Sequence, residues 1–282
     1  MPNLSIIIPT HKRPAILKMC LEHLSRQTIA SDLEVIVVSD GPDTDAERVV
    51  NEYNVLRTTY NVLFVSIPKS QQGSARNEGV KHATADRVLF IGDDIFLEPD
   101  ACEQHLLPAI RYPLSAILGF TTWDPAVGIT PVMTWLEKSG WQFGYPKIRK
   151  YAGTLLPKNI QHLFTYTSQI SLPTDIAKVI PFRDDMHMYG WEDIEWGMRL
   201  AGAGVRLLYE PHAKALHHHR ITMEDSLKRM ETLGKSAKEL AKKIENFDRL
   251  PKGWKLLAQK IHALFPTMGG RHRNAFLKLL ED

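Results

Sequence analysis

Residues 87–94, with the sequence RVLFIGDD, place two adjacent aspartates directly after a short apolar run. A continuous apolar run of this length is typical of a strand buried on both faces of a parallel sheet. Adjacent carboxylates repel each other unless a positive group lies beside them, and a divalent cation meets this need. Taken alone, Gly-Asp-Asp is also compatible with a surface turn. At the end of a buried strand, Asp93 and Asp94 predict a metal site.

Similar apolar runs alternate with helical patterns along the first hundred residues. The runs predict strands at residues 4–8, 34–39, 62–67 and 87–91. Apolar residues spaced three and four apart predict helices at residues 14–27, 43–53 and 74–83. This alternation indicates an α/β fold with an open, mostly parallel, Rossmann-like sheet.

The rest of the chain is less regular. Further elements are predicted as a helix at 99–111, a strand at 115–120, a helix at 194–201, strands at 205–209 and 213–217, and a helix at 223–247 followed by two shorter helical pieces. Residues 121–185 are rich in proline and aromatic residues and show no clear period. We interpret them as irregular segments that face the substrate.

Polar residues follow each of the first four predicted strands. They occupy residues 9–13 (PTHKR), 39–41 (SDG), 69–77 and 92–94. In an open α/β sheet the carboxyl ends of the strands border one crevice, where ligands bind. We therefore expect these four segments to form one site.

A second acidic group begins the helix predicted near residue 194. Glu192 and Asp193 could simply stabilise the positive end of that helix. Gly190 and Trp191 precede them, and an aromatic ring there could support a sugar. Glu195 and Arg199, four residues apart, predict a structural ion pair.

Three consecutive histidines, His217 to His219, begin at the last residue of the last predicted strand. If residues 213–217 form a strand, His217 and His219 share one face and His218 does not. Either His217 or His219 could complete a metal site with Asp94, although a solvated histidine run is the alternative. The chain contains no HExxH, GxSxG, P-loop or cysteine-based zinc motif.

With these segments in order, the chain resembles the family 2 glycosyltransferases of the GT-A fold over residues 4–220. The matching segments are SIIIPT (5–10), VVSDG (37–41), GSARNEG (73–79), FIGDD (90–94) with EPD (98–100), GWEDIE (190–195) and His217. Gly92 stands where the acidic signature often begins with Asp. The metal ligand is the last acid of that signature, so Asp94 keeps the position.

The resemblance implies a role for each matching residue. Asp40 would bind the nucleotide base in a pocket lined by Pro9, Thr10 and Arg13. Arg76 would lie near the nucleotide or its phosphates, and Asp93 would contact the ribose. Asp94 and His217 would hold Mn²⁺ or Mg²⁺. Asp193 would be the general base, with Trp191 and Glu192 on the acceptor side.

The implied reaction is inverting transfer of a sugar from a nucleotide-diphosphate sugar, expected to be UDP-linked, to a hydroxyl of a glycan or glycolipid. One alternative is a nucleotidyltransferase that makes the sugar nucleotide. Such enzymes carry a loop rich in glycine and basic residues after the first strand, where this chain has PTHKRP, without glycine. The other alternative is an inactive binding module, which would lack Asp193 or Asp94.

Composition sets the remaining expectations. With 44% hydrophobic residues, 24% charged residues and a net charge of +3, the chain is typical of globular proteins and shows no bias towards nucleic acid. Cys20 and Cys102 are expected to be buried thiols, which together with the absence of a visible signal peptide predicts a cytoplasmic protein. We expect a domain at 1–220, with a nucleotide-binding half (1–100) and an acceptor-binding half (101–220), followed by a helical extension at 221–282.

The extension is basic, with 13 Lys and Arg against 8 Asp and Glu. Its predicted helix at 223–247 has an apolar stripe, and residues 254–265 continue the apolar and basic character. Residues 223–265 are therefore expected to pack on the domain or on a second subunit, or to contact the anionic inner face of a membrane.

Overall fold

The part of the chain that the computed structural model describes, residues 2–56, 60, 62–186, 189–245, 247 and 249–278, folds around one mixed sheet of nine strands. The strands are β1 (Leu4–Thr10), β2 (Leu33–Asp40), β3 (Val62–Ile67), β4 (Arg87–Ile91), β5 (Ile95–Leu97), β6 (Ala116–Trp123), β7 (Thr154–Leu155), β8 (Gln169–Pro173) and β9 (Leu207–His217). Their order is β3-β2-β1-β4-β8-β6-β9-β5, and β7 pairs with β9.

The first four strands are mutually parallel and form the half of the sheet predicted from the sequence. In the other half, β8 runs antiparallel to β4 and β6, whereas β9 is parallel to β6. The short strands β5 and β7 are antiparallel to β9. The predicted α/β fold with a mostly parallel sheet is confirmed.

The described helices cover both faces of the sheet and extend beyond it. They are α1 (Pro14–Leu24), α2 (Thr44–Leu56), α3 (Gln72–His82), α4 (Ala101–Arg111), α5 (Pro131–Ser139), α6 (Tyr145–Ile148), α7 (Thr174–Val179), α8 (Glu192–Gly202), α9 (Met223–Lys243), α10 (Trp254–Ala263) and α11 (Met268–Lys278).

Two apolar layers hold the helices to the sheet. Ile6 and Ile8 of β1 face a core completed by α1, α2 and α4. Ile7 points to the opposite face, where α3, α7 and α8 complete a second core. Successive side chains of a strand point to opposite faces, so one continuous apolar run serves both cores.

The loosely patterned stretch 121–185 contains a central strand that the sequence interpretation missed. In this stretch β8 lies between β4 and β6. Its polar side chains are buried and form hydrogen bonds, Ser171 with His105 and Gln169 with Thr121. A strand that alternates apolar and buried polar residues has no continuous apolar run to mark it.

The strands at the far end of the sheet also differ from the prediction. The two strands predicted at 205–209 and 213–217 form one strand, β9, which continues through Pro211. Pairing with β6 shifts register between Leu118 and Phe120, next to that proline. The short strand β5, which follows Asp94 directly, was not predicted, because three residues are too few to show a period.

The C-terminal helices pack on the rest of the molecule. The apolar stripe of α9 lies in a cluster with Met186, Trp191 and Phe276. On α11, the buried His272 stacks near Trp135 of α5, with ring centroids 4.6 Å apart. The predicted helix at 223–247 ends at Lys243. Of the residues beyond it, Asn246, Asp248 and 279–282 lie outside the described part.

Two further expectations can be compared with the structure. Cys20 and Cys102 are free and buried, as predicted. Among the described helices, we find none with the length and hydropathy required to cross a bilayer.

Candidate active site

Asp93 lies at the carboxyl end of β4 and is completely buried. The neighbouring strand β1 delivers two partners from its own carboxyl end. The Thr10 hydroxyl donates to Asp93 Oδ2 at 2.7 Å, and the Arg13 Nε donates to the same oxygen at 3.2 Å. Arg13 Nη2 also donates to Asp93, while its Nη1 donates to Asp94 Oδ2 at 2.9 Å. One guanidinium therefore bridges the two acids.

The two aspartates differ in their electrostatics. Burial raises the pKa of Asp93 to about 6, although Arg13 acts in the opposite direction. Burial has the same tendency at Asp94, but hydrogen bonds to His217 and His219 and the charge of Arg13 outweigh it. The pKa of Asp94 therefore lies well below its ordinary value, and this carboxylate is ionised at neutral pH.

Asp94, His217 and His219 form a group of potential metal ligands. His217 Nε2 lies 3.7 Å from Asp94 Oδ2, and His219 Nδ1 lies 3.6 Å from the same oxygen. The ligand atoms of all three residues lie within 4.8 Å of one another. Both histidines that were expected to share a face therefore reach Asp94, where the sequence interpretation left the choice between them open.

Strand β9 positions the histidines. Its last residue, His217, pairs with Ile95 of β5 and with Trp123 of β6, and its ring stacks on the indole of Trp123 at 5.2 Å. His218 points away, with its Nδ1 2.6 Å from Asp124 Oδ2. Its backbone N–H donates to the carbonyl of Asp94 at 2.8 Å, which joins the two segments.

Asp40 lies at the same edge of the sheet, at the carboxyl end of β2. Its Oδ1 accepts hydrogen bonds from the backbone N–H groups of Ser70 at 2.6 Å and Gln71 at 3.0 Å. These contacts tie the loop after β3 to β2. Pro9, on the adjacent strand β1, pairs with Val38 of β2. The structure thus places Pro9 and Asp40 beside Thr10, at one edge.

Asp193 and Glu192 begin α8 and lie with Arg76 of α3. The buried Arg76 donates to Gln72, and Gln72 in turn donates to Glu192 Oε1 at 2.7 Å. Arg76 Nε and Nη1 are buried without a partner among the described residues. Burial lowers the pKa of Arg76, while the charges of Glu192 and Asp193 act in the opposite direction. Two guanidinium nitrogens thus lack a hydrogen-bond acceptor among the described residues, while the guanidinium group lies over the ring of Phe182.

Asp193 is held in place at both its backbone and its side chain. Its carbonyl accepts from the Thr165 hydroxyl at 2.6 Å, and its Oδ1 accepts from the N–H of Ile194 at 2.9 Å. Burial and the adjacent Glu192 carboxylate raise the pKa of Asp193 above its ordinary value, despite the charge of Arg76. A carboxylate with a raised pKa is a better proton acceptor near neutral pH.

Trp191 packs against the C-terminal extension. It adopts a left-handed backbone conformation with φ of 73°, which is unusual for a bulky residue. Its indole N–H donates to the carbonyl of Leu233 on α9 at 3.0 Å, and its ring contacts Phe247. Gly190, with φ of 80°, precedes it, and a Cβ there would lie 2.3 Å from Leu233. Helix α9 thus supports the start of the acidic segment.

Aromatic residues connect the histidine group with Asp193. Phe143 lies near His217 at 6.1 Å and near Tyr166 at 5.4 Å, measured between ring centroids. The charge of Asp193 contributes to a raised pKa of Tyr166, for which burial is the main cause. Sequence analysis did not select Phe143 or Tyr166, although both lie in the aromatic-rich stretch interpreted as substrate-facing.

Phe143 also lines a cavity of about 550 Å³. Its lining combines aromatic rings with charged side chains. The aromatic and charged residues of the lining are Phe120, Trp123, Phe143, Tyr145, Tyr209, Glu137, Lys138, Arg149 and Lys214. Glu137 hydrogen-bonds to the Thr122 hydroxyl of β6. A cavity with convergent polar groups and aromatic walls is suited to a small polar ligand.

Comparison with known proteins identifies relatives of this arrangement. The sequence profile described as glycosyl transferase family 2 matches residues 5–169. The validoxylamine A glucosyltransferases of Streptomyces hygroscopicus subsp. jinggangensis and subsp. limoneus are each 30% identical over 226 residues, which cover 72% of this chain. These residues represent 52% and 49% of the two relatives, so the chain spans about half the length of the curated relatives it matches.

Solved structures share the fold at low sequence identity. The mannosyltransferase PcManGT of Pyrobaculum calidifontis, in complex with GDP-Man and Mn²⁺, aligns with a TM-score of 0.63 and 15% identity, over 99% of this chain and 75% of that one. S. aureus TarS 1-349 in complex with UDP aligns with a TM-score of 0.57 and 17% identity, over 84% of this chain and 65% of that one.

Proposed function

The chain belongs to the glycosyl transferase family 2, and we propose that it transfers a hexose from a nucleotide-diphosphate sugar to an acceptor hydroxyl with inversion at the anomeric carbon. The observation that carries the proposal is the meeting of Asp94, His217 and His219 at the carboxyl edge of the sheet, next to the buried Asp93. One carboxylate with two imidazoles would form a cation site next to a crevice that suits a nucleotide.

The donor set fits a divalent cation. Asp94 is ionised, and His217 and His219 each offer a ring nitrogen in the same small volume. Mg²⁺ prefers oxygen ligands and retains several waters, so a site with two imidazoles favours Mn²⁺. Of the two expected cations, we therefore propose Mn²⁺. When bound, it would offset negative charge on the departing diphosphate.

The nucleotide would occupy the edge formed by β1, β2 and β4. Pro9, Thr10, Arg13 and Asp40 border this edge, and Asp93, with Arg13 beside it, would contact the ribose. The unpartnered Arg76 nitrogens could donate to the phosphates. We propose a UDP-sugar as donor, supported by the TarS structures that hold UDP and UDP-GlcNAc. The names of the relatives, glucosyltransferase and mannosyltransferase, support a hexose.

Asp193 would act as the general base. It would take the proton of the acceptor hydroxyl while that oxygen forms a bond to the anomeric carbon, and the bond to the diphosphate oxygen breaks with its electron pair. A single direct displacement inverts the anomeric centre. The raised pKa of Asp193 suits this role, and Glu192 and Arg76 sit beside it to set its charge.

The acceptor would enter from the side of Trp191 and Glu192 and would extend into the cavity lined by Phe143. The aromatic walls of that cavity could stack on sugar rings, and Glu137 could accept hydrogen bonds from the sugar hydroxyl groups. We propose a glycan or a lipid-linked glycan as acceptor. The proposal assigns residues 1–100 to nucleotide binding, 101–220 to acceptor binding, and 221–282 to a supporting extension, in a protein that works in the cytoplasm at the inner face of a membrane.

A thermal-shift screen of nucleotide-sugars with and without Mn²⁺ tests the proposal. We expect UDP-hexoses to raise the melting temperature in the presence of Mn²⁺, because a ligand that binds the folded state stabilises it by mass action. A shift with UTP and sugar phosphates, and none with any nucleotide-sugar, would favour the nucleotidyltransferase alternative. Binding without transfer to any glycan acceptor would favour the inactive module.

A further inference from the structure

Helix α10 and the turn after it expose an unusual set of large apolar side chains. They are Trp254 (76% exposed), Leu257 (61%), Ile261 (52%), Leu264 (84%) and Phe265 (55%). We call these five residues the α10 stripe. Single exposed apolar residues are normal on a protein surface, but a contiguous group on one element marks an interaction site.

The spacing of the α10 stripe is helical. Successive residues advance by about 100° around a helix, so the stripe covers about 100° of one side. Leu256 and Ala263 lie on the opposite side and pack against the cluster formed with α9 and α11. Helix α10 is therefore anchored to the molecule by one side and presents the other, apolar side to solvent.

The stripe on α9 behaves differently from the one on α10. Met230, Leu233, Ala237 and Leu240 of α9 are in contact with Met186, Trp191 and α11. The apolar residues of α9 are thus used within the molecule. The structure separates the two expectations for residues 223–265: α9 packs on the protein, and α10 retains an apolar face to offer to a partner.

The segment of the chain that contains α10 is basic. Residues 249–278 contain seven Lys and Arg and no Asp or Glu. Lys252, Lys255 and Lys260 are exposed next to the stripe. On α11, Lys278 pairs with Glu231, and Arg273 lies over the ring of Trp141. A partner of this face must accept apolar side chains and supply negative charge around them.

We propose that α10 lies in the interface of an anionic membrane, with the α10 stripe in the acyl boundary and its lysines at the lipid headgroups. Apolar insertion and attraction of lysines to anionic lipids are the two contributions that hold such helices at a bilayer surface. A second copy of the chain satisfies the observation less well. A twofold interface would bring like-charged lysines of both copies together. The membrane contact itself is argued from the surface of α10. Only its role, to hold the enzyme near a lipid-linked acceptor, rests on the proposed function.

Flotation with lipid vesicles tests the proposal on the full chain, without donor or acceptor. We expect the protein to float with vesicles that combine phosphatidylcholine and phosphatidylglycerol, and to stay unbound with phosphatidylcholine alone. The double variant Leu257→Ser/Leu264→Ser keeps every charge and should partition about tenfold or more weakly. The double variant Lys252→Glu/Lys255→Glu keeps the stripe and should also lose binding.

Matched controls isolate the surface. Ile110 and Val179 are 83% and 79% exposed on other helices, so Ile110→Ser/Val179→Ser removes similar apolar area elsewhere and should float like the unaltered chain. Asp193→Asn should float equally well, which separates membrane binding from sugar transfer. Equal flotation of Leu257→Ser/Leu264→Ser, or no flotation of the unaltered chain, would overturn the proposal. If the unaltered chain formed a dimer and did not bind vesicles, and Leu257→Ser/Leu264→Ser dissociated that dimer, the result would overturn the proposal in favour of a second copy.

Discussion

The surrounding residues change the pKa of Asp193, the base in the proposed transfer. Burial and Glu192 raise its pKa, Arg76 opposes them, and two hydrogen bonds hold it at the start of α8. The same environment has a cost in stability. Because the folded state binds the proton of Asp193 more tightly than the unfolded state does, this residue makes the protein less stable as pH rises past the ordinary pKa of an aspartate.

Replacing Asp193 with asparagine should therefore have two opposite effects. We expect turnover to fall by about 10²–10⁴-fold, because the acceptor hydroxyl loses its proton acceptor. Donor affinity should change little, and the melting temperature at pH 8 should rise, because the buried charge is removed. Turnover, donor binding and melting measured on the same preparation check this. Near-normal turnover would contradict the assignment of the base, and a large loss of donor affinity would indicate a nucleotide contact instead.

The pH profile of the unaltered enzyme serves as the control for that assignment. A base must be deprotonated to act, so activity should increase as pH rises through the pKa of Asp193. Since that pKa is raised, the acid limb should lie above the ordinary aspartate value of about 4. An acid limb near that ordinary value would assign proton transfer to another group.

At the scale of elements, the candidate metal site depends on the junction of β4, β5 and β9. Asp94 follows β4, and β5 pairs antiparallel with β9 so that Ile95 lies opposite His217. This pairing brings the end of β9 back to the turn that carries Asp94. His219 follows two residues later and stacks near His217, with ring centroids 5.5 Å apart.

Removal of any one of these three ligands should weaken Mn²⁺ binding. Loss of an outer hydrogen-bond partner of a metal ligand typically costs about 10–100-fold in metal affinity. We expect Asp94→Ala, His217→Ala and His219→Ala to cost at least as much in titration calorimetry with Mn²⁺ alone. His218→Gln is the matched control, because the side chain of His218 contacts Asp124, and the hydrogen bond from its backbone N–H to Asp94 is kept in the variant. Unchanged affinity in His219→Ala would leave His217 as the histidine ligand, and the reverse result would reassign it to His219.

At the scale of the whole molecule, the C-terminal helices are part of the same structure as the site. Helix α9 accepts the indole N–H of Trp191, two residues before the proposed base. Helices α9 and α11 approach closely at Gly234, where a Cβ would lie 2.1 Å from the carbonyl oxygen of Phe276. Only a residue without a side chain allows this contact between the two backbones.

Gly234→Ala should consequently destabilise the protein. We expect the free energy of unfolding to fall by about 1–3 kcal/mol, because α11 must move to admit the methyl group. Gly202→Ala is the matched control: it lies at the end of α8, where an added Cβ meets no atom within 4 Å. Denaturant unfolding of both variants checks the prediction, and equal stability would contradict the close packing of α9 on α11.

Much of the first half of the fold, and the family, follow from the sequence alone. The four parallel strands are continuous apolar runs, and each ends in polar residues, so local pattern suffices to place Thr10, Arg13, Asp40 and Asp93 at one edge. The prediction of a family 2 glycosyltransferase with a GT-A fold is confirmed by the family profile and by the solved structures. The roles of the individual site residues stay predictions.

The second half was decided by tertiary contacts. Strand β8 lacks an apolar run because it carries two buried polar side chains, Gln169 and Ser171, which hydrogen-bond to residues distant in the chain. Strand β9 continues through Pro211, beside which its pairing with β6 shifts register. Two histidines rather than one reach Asp94, and Trp191 packs on α9. Local sequence determines which segments are strands or helices and which ends are polar. Which polar groups meet, and which apolar stripe is covered, depends on pairing between distant segments, and that pairing leaves no local period in the sequence.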